Sequence, residues 1–126
     1  MSLQHTFDGH GRWDGLTLAE IVPRVVQEVV TSVDPLEVIL FGSVARGEDG
    51  PDSDIDLLVV FDHVKPEDKR ALMAKVRRSI ETAAPIDVLV TDPTEIEARR
   101  DQVGSILYWP LREGRSVHRR PHAHAS

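Results

Sequence analysis

Two aspartates separated by one residue, Asp54 and Asp56, open an apolar run that extends from Leu57 to Phe61. Such a run is typical of a strand that is buried on both faces. Because side chains two residues apart on a strand share a face, we expect the two carboxylates to lie close together. Carboxylates this close repel each other unless a proton or a cation lies between them. Since Mg²⁺ prefers oxygen ligands, the pair predicts a divalent metal site.

A glycine–serine turn precedes these aspartates. Residues 38–41 are predicted to end a strand, which breaks at Gly42 into a short helical turn. Gly42 would let the backbone approach a ligand closely, and the amides of Ser43 and its successors would lack acceptors within the helix. Such a turn favours anions. A phosphate site beside a carboxylate pair is what nucleotidyl or phosphoryl transfer needs, because that chemistry rests on positioning and charge neutralisation.

A third carboxylate is predicted on the following strand, residues 85–91. Asp87 alternates there with apolar residues, and an acid in such a strand is costly unless it has a partner. That cost disappears if Asp87 reaches the Asp54/Asp56 pair from the neighbouring strand. The sequence therefore predicts three converging carboxylates.

The combined string carries a resemblance. Gly42-Ser43-Val44-Ala45-Arg46-Gly47 followed by Ser53-Asp54-Ile55-Asp56-Leu57 resembles the G-S-x-A-R-G…S-D-x-D-L signature of the DNA polymerase β-like nucleotidyltransferase superfamily, and most of all its minimal nucleotidyltransferase (MNT) branch. A D-x-D pair alone is not specific, whereas the whole string between two strand patterns is. The resemblance covers about residues 36–91. It implies an α/β (α+β) fold, a polymerase β-like core in which a small mixed sheet is flanked by helices.

The resemblance also implies roles for these residues. Asp54, Asp56 and Asp87 would bind Mg²⁺, with two ions expected, against the triphosphate of ATP. Gly42 and Ser43 would hold the phosphates, with Arg46 as a secondary cation. Asp87 would accept the proton of a hydroxyl that attacks the α-phosphorus, so that AMP is transferred and pyrophosphate leaves.

The MNT branch is similar to the antitoxin half of HEPN–MNT toxin–antitoxin pairs. The implied partner is a helical HEPN-type RNase, which the MNT protein neutralises by adenylylating a tyrosine, by tight binding, or by both. Two alternatives stay open: a non-catalytic, nucleotide-binding antitoxin or regulatory subunit, and a transferase acting on a small molecule of the aminoglycoside type. The lack of a recognisable acceptor domain argues against the second alternative.

Individually, the candidate residues also have structural explanations. Ser43 could be only a helix N-cap and Gly42 only a turn residue. Asp54 and Asp56 could be exposed residues at a strand start, and Asp87 an internal hydrogen-bond acceptor. The acids of the loop 48–52 are expected to be a solvated corner. The coincidence of turn, carboxylate pair and third acid at related strand ends favours a nucleotidyltransferase-type site.

The surrounding elements follow from periodicity and caps. A T-x-x-E capping box at Thr17 begins a helix in which Pro23 predicts a kink or restart. Residues 93–113 are predicted to form an interrupted helix that bends at Pro110 and takes its apolar content from Ile106, Leu107, Trp109 and Leu111. The remaining predicted elements are strands at 36–41, 54–61 and 85–91 and a helix at 66–82.

Domain organisation and composition complete the expectations. We predict a flexible N-terminal arm (residues 1–15) with Phe7 and Trp13 against the core, a nucleotidyltransferase domain (16–114), and a disordered tail (115–126). The 126 residues suit one domain, and a formal charge of −6 argues against direct nucleic-acid binding. With no cysteine, no signal-peptide pattern and no membrane-length apolar run, we expect a cytoplasmic protein, either a homo- or a hetero-oligomer.

Overall fold

The computed structural model describes residues 9, 12–13 and 15–121 of the chain. In this part of the chain a mixed sheet is flanked by helices, as the sequence predicted. The elements in chain order are β1 (Arg12–Trp13), β2 (Leu16–Thr17), α1 (Leu18–Val33), β3 (Glu37–Phe41), α2 (Gly42–Ala45), β4 (Ile55–Val60), a 3₁₀ turn (Pro66–Asp68), α3 (Lys69–Arg78), β5 (Ile86–Thr91), α4 (Pro93–Arg99), α5 (Tyr108–Glu113) and β6 (Arg115–Arg119).

The main sheet has four strands in the order β5-β4-β3-β6. The central strand β4 is antiparallel to β3 and parallel to β5, which makes the sheet mixed. The last residues of β3 therefore lie at the same end of the sheet as the first residues of β4 and β5. The short strands β1 and β2 pair separately as an antiparallel ribbon.

Both faces of the sheet are covered by apolar side chains. On one face, Leu57 and Val59 of β4 pack in a core with Val25 of α1 and Val76 of α3. On the other face, Leu58 and Val60 pack with Leu107. The unbroken apolar run of β4 follows from this arrangement, because alternate side chains enter opposite cores.

Helix α1 begins as predicted. The Thr17 side chain accepts a hydrogen bond from the Glu20 amide, and the Glu20 carboxylate accepts one from the Thr17 amide, which is a complete capping box. The predicted restart at Pro23 does not occur, because α1 is continuous through it. At its other end, Asp34 adopts a left-handed conformation and turns the chain toward β3.

Two later helices differ from their predicted bounds. The predicted helix 66–82 is a 3₁₀ turn followed by α3, which ends at Arg78, where the Ser79 hydroxyl bonds to the Val76 carbonyl. The interrupted helix predicted over residues 93–113 is observed as two separate helices, α4 and α5. Pro110 does not bend a long helix, since it lies in the first turn of α5, where its missing amide costs nothing.

The prediction of a disordered tail from residue 115 is wrong for its first five residues. These form β6, which pairs with β3. Ion pairs support the strand: Arg119 contacts Glu37 at 3.0 Å, and the following Arg120 contacts Asp62 at 3.3 Å. The basic composition suggests a solvated segment, but backbone pairing and distant acids order it. Residues 122–126 of the predicted tail lie outside the described residues.

The predicted N-terminal arm is described only in part. Trp13 packs against the main core, in line with the expected capping role, whereas Phe7 lies outside the described residues. Among the described residues, no helix is long and apolar enough to cross a membrane.

Candidate active site

Three carboxylates lie close together at the end of the sheet where β4 and β5 begin. One oxygen from each of Asp54, Asp56 and Asp87 lies within 4.8 Å of the others. Asp56 and Asp87 are directly paired in the parallel register of β4 and β5, so their side chains share a face. Asp54 precedes β4, and the predicted strand start is thus one residue early. The predicted convergence of the three side chains is observed.

Gly42 lies directly against this cluster. Its φ of +77° is a conformation that side-chain-bearing residues rarely adopt, and a Cβ built on it would lie 2.1 Å from Oδ2 of Asp56. The register explains the contact, because Phe41, the last residue of β3, pairs with Asp56. The absence of a side chain at Gly42 makes room for the Asp56 carboxylate.

The surroundings of Asp56 change its acidity. The pKa of Asp56 is raised from its ordinary value of 3.8 to about 6, first by burial and then by the negative charges of Asp87 and Asp54. Arg46 acts in the opposite direction. Asp54 and Asp87 are exposed, whereas Asp56 is partly buried. Three carboxylate oxygens this close together form a donor set that suits a hard divalent cation such as Mg²⁺.

Helix α2 begins at Gly42. Backbone bonds close its turn, among them one from the Arg46 amide to the Gly42 carbonyl and one from the Glu48 amide to the Ser43 carbonyl, at 2.8 Å. The first-turn amides of a helix have no acceptor within the helix. Within the described part of the chain, the Ser43 hydroxyl makes no hydrogen bond. Polar hydrogen-bonding groups at the start of α2 thus lie next to the carboxylate cluster.

Arg46 extends from α2 toward two acids. Its Nε donates to Glu48 at 2.9 Å and its Nη1 to Glu113 of α5 at 3.3 Å. The hydrogen bond to Glu48 is the largest cause that raises the pKa of Arg46. The side chain therefore joins α2 to α5 and still lowers the pKa of Asp56 through its charge.

Sequence reasoning missed the contact between Arg46 and Glu113. No spacing rule relates these residues, because the contact depends on how α5 packs against β3 and α2. The acids of the loop 48–52 are predicted to be solvated, and among the described residues the only group of three metal-ligating side chains contains none of them.

Comparisons with known proteins agree with this geometry. Residues 22–114 match the family model described as "Nucleotidyltransferase domain". The crystal structure of a putative nucleotidyltransferase from Sulfolobus solfataricus is similar, with 35% sequence identity and a TM-score of 0.52 over 64% of this chain and 72% of that chain. No curated protein is significantly similar in sequence.

Proposed function

Because the chain belongs to the nucleotidyltransferase domain family, we propose that it transfers AMP from ATP to a tyrosine hydroxyl of a partner HEPN-type RNase, and thereby acts as the antitoxin of that RNase. The observation that carries the chemical part of this proposal is the carboxylate cluster beside the bend at Gly42.

The cluster is suited to a metal-dependent transfer. Asp54, Asp56 and Asp87 would hold Mg²⁺, which would neutralise charge on the triphosphate. The raised pKa of Asp56 supports this assignment: it arises first from burial and then from the negative charges of Asp87 and Asp54, and a bound cation would favour the ionised carboxylate. On the other side of the cluster, the first amides of α2 and the Ser43 hydroxyl would hold phosphate oxygens.

The transfer itself is a substitution at phosphorus. The acceptor oxygen forms a bond to the α-phosphorus while the bond from that phosphorus to the bridging oxygen of pyrophosphate breaks. The hydroxyl proton passes to a carboxylate, for which we assign Asp87, since it is exposed and lies on β5, an outer strand of the main sheet in the described part of the chain. Pyrophosphate leaves with the electron pair of the broken bond.

A protein acceptor is supported by two features. The motif that begins at Gly42 resembles the minimal branch, in which the acceptor is a partner protein. In addition, Asp54 and Asp87 are exposed, so a side chain on another protein can approach the cluster from solvent.

The test is incubation of the chain with ATP labelled at the α-phosphate, Mg²⁺ and the purified protein encoded beside it. Label on a tyrosine of that protein supports the proposal, and Asp56→Asn should abolish the labelling while it leaves the fold intact. In a parallel reaction with an aminoglycoside in place of that protein, label on the aminoglycoside would instead indicate a small-molecule transferase. A tight complex without label would indicate a non-catalytic antitoxin. An unchanged labelling rate in folded Asp56→Asn would contradict the metal role.

A further inference from the structure

The free side of β6 is an unpaired strand edge. β6 pairs with β3 on one side, and no strand in the described part of the chain pairs with it on the other. The backbone groups on that side can therefore bond to a further strand, which would extend the sheet by one. The register with β3 shifts at Val117, and such a bulge disfavours unselective strand addition. A strand that adds here must match the surroundings of β6.

One groove lies beside β6 on the face of the sheet that α1 covers. This α1-side groove has a volume of about 560 Å³. Its lining includes Val22, Val26 and Val30 of α1, Leu40 of β3 and residues 115–118 of β6. Apart from Gln27, the residues that α1 contributes are apolar. The groove therefore suits apolar side chains.

A second groove, of about 300 Å³, lies beside β6 on the opposite face. This α5-side groove is lined by Ile39 of β3, Ile96 and Arg100 at α4, Leu111 of α5, and Ser116 and Arg119 of β6, among others. The register agrees: Arg115 pairs with Leu40, which packs in the core with α1. Ser116 pairs with Ile39, which packs in the other core. A strand added beside β6 would direct alternate side chains toward the two faces, and so toward the two grooves.

Both grooves carry an excess of positive charge, although the whole chain has a formal charge of −6. Among the described residues that line the α1-side groove, Arg115 and His118 are ionisable and none is acidic. In the α5-side groove, Arg100 and Arg119 accompany a single acid, Glu37, which contacts Arg119 at 3.0 Å. Arg100 and Arg115 are exposed and make no ion pair within the described part of the chain. Acidic side chains would complement them.

We infer that the free edge of β6 binds an extended, acidic segment of another protein as an additional strand. Apolar side chains of this segment face the α1-side groove, and alternate acidic side chains face Arg100 on the opposite side. Backbone hydrogen bonds supply affinity, and the charges of Arg100 and Arg115 select the partner. A second copy of β6 is itself basic and does not supply this chemistry. The inference does not depend on the proposed transfer.

The test uses synthetic peptides and the full chain without nucleotide. A fluorescein-labelled peptide of about seven residues, an ordinary strand length, alternates Val with Glu and is titrated with the protein. Fluorescence anisotropy measures the Kd. A control peptide has Lys in place of each Glu. The acidic peptide should bind at least about 10-fold more tightly than the basic one, by a margin that shrinks at high salt. Equal affinities, or no binding of the acidic peptide, would overturn the inference.

N-methylated peptides test the backbone pairing. Successive amides of a strand point to opposite edges, so methylation of every Val amide blocks one edge and methylation of every Glu amide blocks the other. One of these two acidic peptides should bind about 10-fold more weakly than the other. Equal affinities would mean that charge alone attracts the peptide, without strand addition, and the inference would be wrong.

Substitutions in the protein locate the binding surface. Arg100→Gln and Arg115→Gln should each raise the Kd of the acidic peptide about 3-fold, and the double variant about 10-fold. The matched control is Arg78→Gln, since Arg78 of α3 is also exposed and without an ion pair in the described part of the chain. Its Kd should stay unchanged. Thermal unfolding checks that each variant is folded. An unchanged Kd in the double variant, or an equal rise in Arg78→Gln, would contradict binding at β6.

Sedimentation of the wild type without peptide examines the competing occupant of the edge. A dimer that the acidic peptide dissociates would mean that the edge of β6 is occupied by a second copy, which overturns the assignment to an acidic partner. A wild type that binds the acidic peptide without such a dimer supports the assignment.

Discussion

The carboxylate of Asp56 occupies the space that a side chain on Gly42 would fill: a Cβ on Gly42 would lie 2.1 Å from Oδ2 of Asp56 and 3.0 Å from its Cγ. The last residue before the bend and the central acid of the cluster are direct neighbours across β3 and β4. The turn and the cluster are therefore a single packed unit, and a change in one should disturb the other.

This contact predicts the effect of Gly42→Ala. The variant should lose about 2–3 kcal/mol of stability, because it combines a strained positive φ with a clash against Asp56. Gly47→Ala is the matched control, since Gly47 has a similar φ of +72° but a Cβ added to it would have nothing within 4 Å. It should lose only about 1 kcal/mol. Urea denaturation measures both, and equal losses would contradict the importance of the contact.

A double variant isolates the clash. In an Asp56→Ala background the obstructing carboxylate is absent, so Gly42→Ala should cost no more than Gly47→Ala does. The coupling between the two sites follows from the double-mutant cycle. An undiminished cost in that background would assign the whole effect to backbone strain.

The raised pKa of Asp56 predicts a pH-dependent stability. A folded-state pKa of about 6, above the ordinary 3.8, means that the folded protein binds this proton more tightly than the unfolded chain. The ionised carboxylate therefore destabilises the metal-free protein above pH 6, and this cost disappears as the pH falls toward 4. In EDTA, Asp56→Asn should be more stable than the wild type by about 1 kcal/mol at about pH 7.5, a value reduced for solvent screening.

The same comparison at about pH 4 is the control, because the carboxyl of the folded wild type is then largely protonated and carries little of that repulsion. The advantage of Asp56→Asn should be lost there. An equal advantage at both pH values would show that the substitution acts through packing rather than charge.

Ligand binding should depend on the cluster acids and not on the loop acids. Mg²⁺ with a non-hydrolysable ATP analogue should raise the Tm of the wild type by about 5 °C when the ligand is in large excess over its Kd. Asp54→Asn should remove most of this shift, since it removes a carboxylate from the cluster. Asp52→Asn, in the solvated loop, should retain it. Equal shifts in all three proteins would argue against metal-assisted binding at the cluster.

Asp92 is predicted to stabilise the fold without taking part in the chemistry. It is 5% exposed, its Oδ1 accepts from the Glu95 amide and its Oδ2 from the Val64 amide, both at 2.8 Å. Asp92→Ala should cost about 2–3 kcal/mol, because it leaves two backbone amides unpaired. Asp68→Ala is the control, since Asp68 precedes α3 without making a capping bond. Chemical denaturation compares the two variants.

The cap at Asp92 also has a pH signature. The backbone bonds from Glu95 and Val64 hold the pKa of Asp92 below its ordinary value of 3.8. Its stabilisation is therefore present above that value and is lost as the pH falls through the lower, folded-state pKa. The stability difference between wild type and Asp92→Ala should shrink in acid, and a difference that does not change with pH would rule out the charged cap.

Much of the site could be predicted because local rules determine it. The spacing of Asp54 and Asp56 sets their shared direction, and the alternation around Asp87 places that acid on one face. Parallel pairing then brings Asp87 beside Asp56. The capping box at Thr17 could likewise be predicted from the sequence, since Thr17 and Glu20 lie within one helical turn.

The rest depends on contacts between residues far apart in sequence. β6 lacks an alternating apolar pattern, and it is ordered by pairing with β3 and by Glu37. The apolar residues between 106 and 111 suggest one continuous helix. Their sequence does not show that Leu107, just before α5, is buried in the core while Trp109 on α5 is exposed, because that depends on tertiary packing.

The arginines of β6 have a consequence for solubility. β6 is an outer strand of the sheet in the described part of the chain, with one side free of backbone pairing. If two copies met antiparallel about Val117, each Arg115 would lie opposite an Arg119, and like charges in that position disfavour pairing. The arginines that give β6 its polar composition thus disfavour the pairing of two copies through this strand.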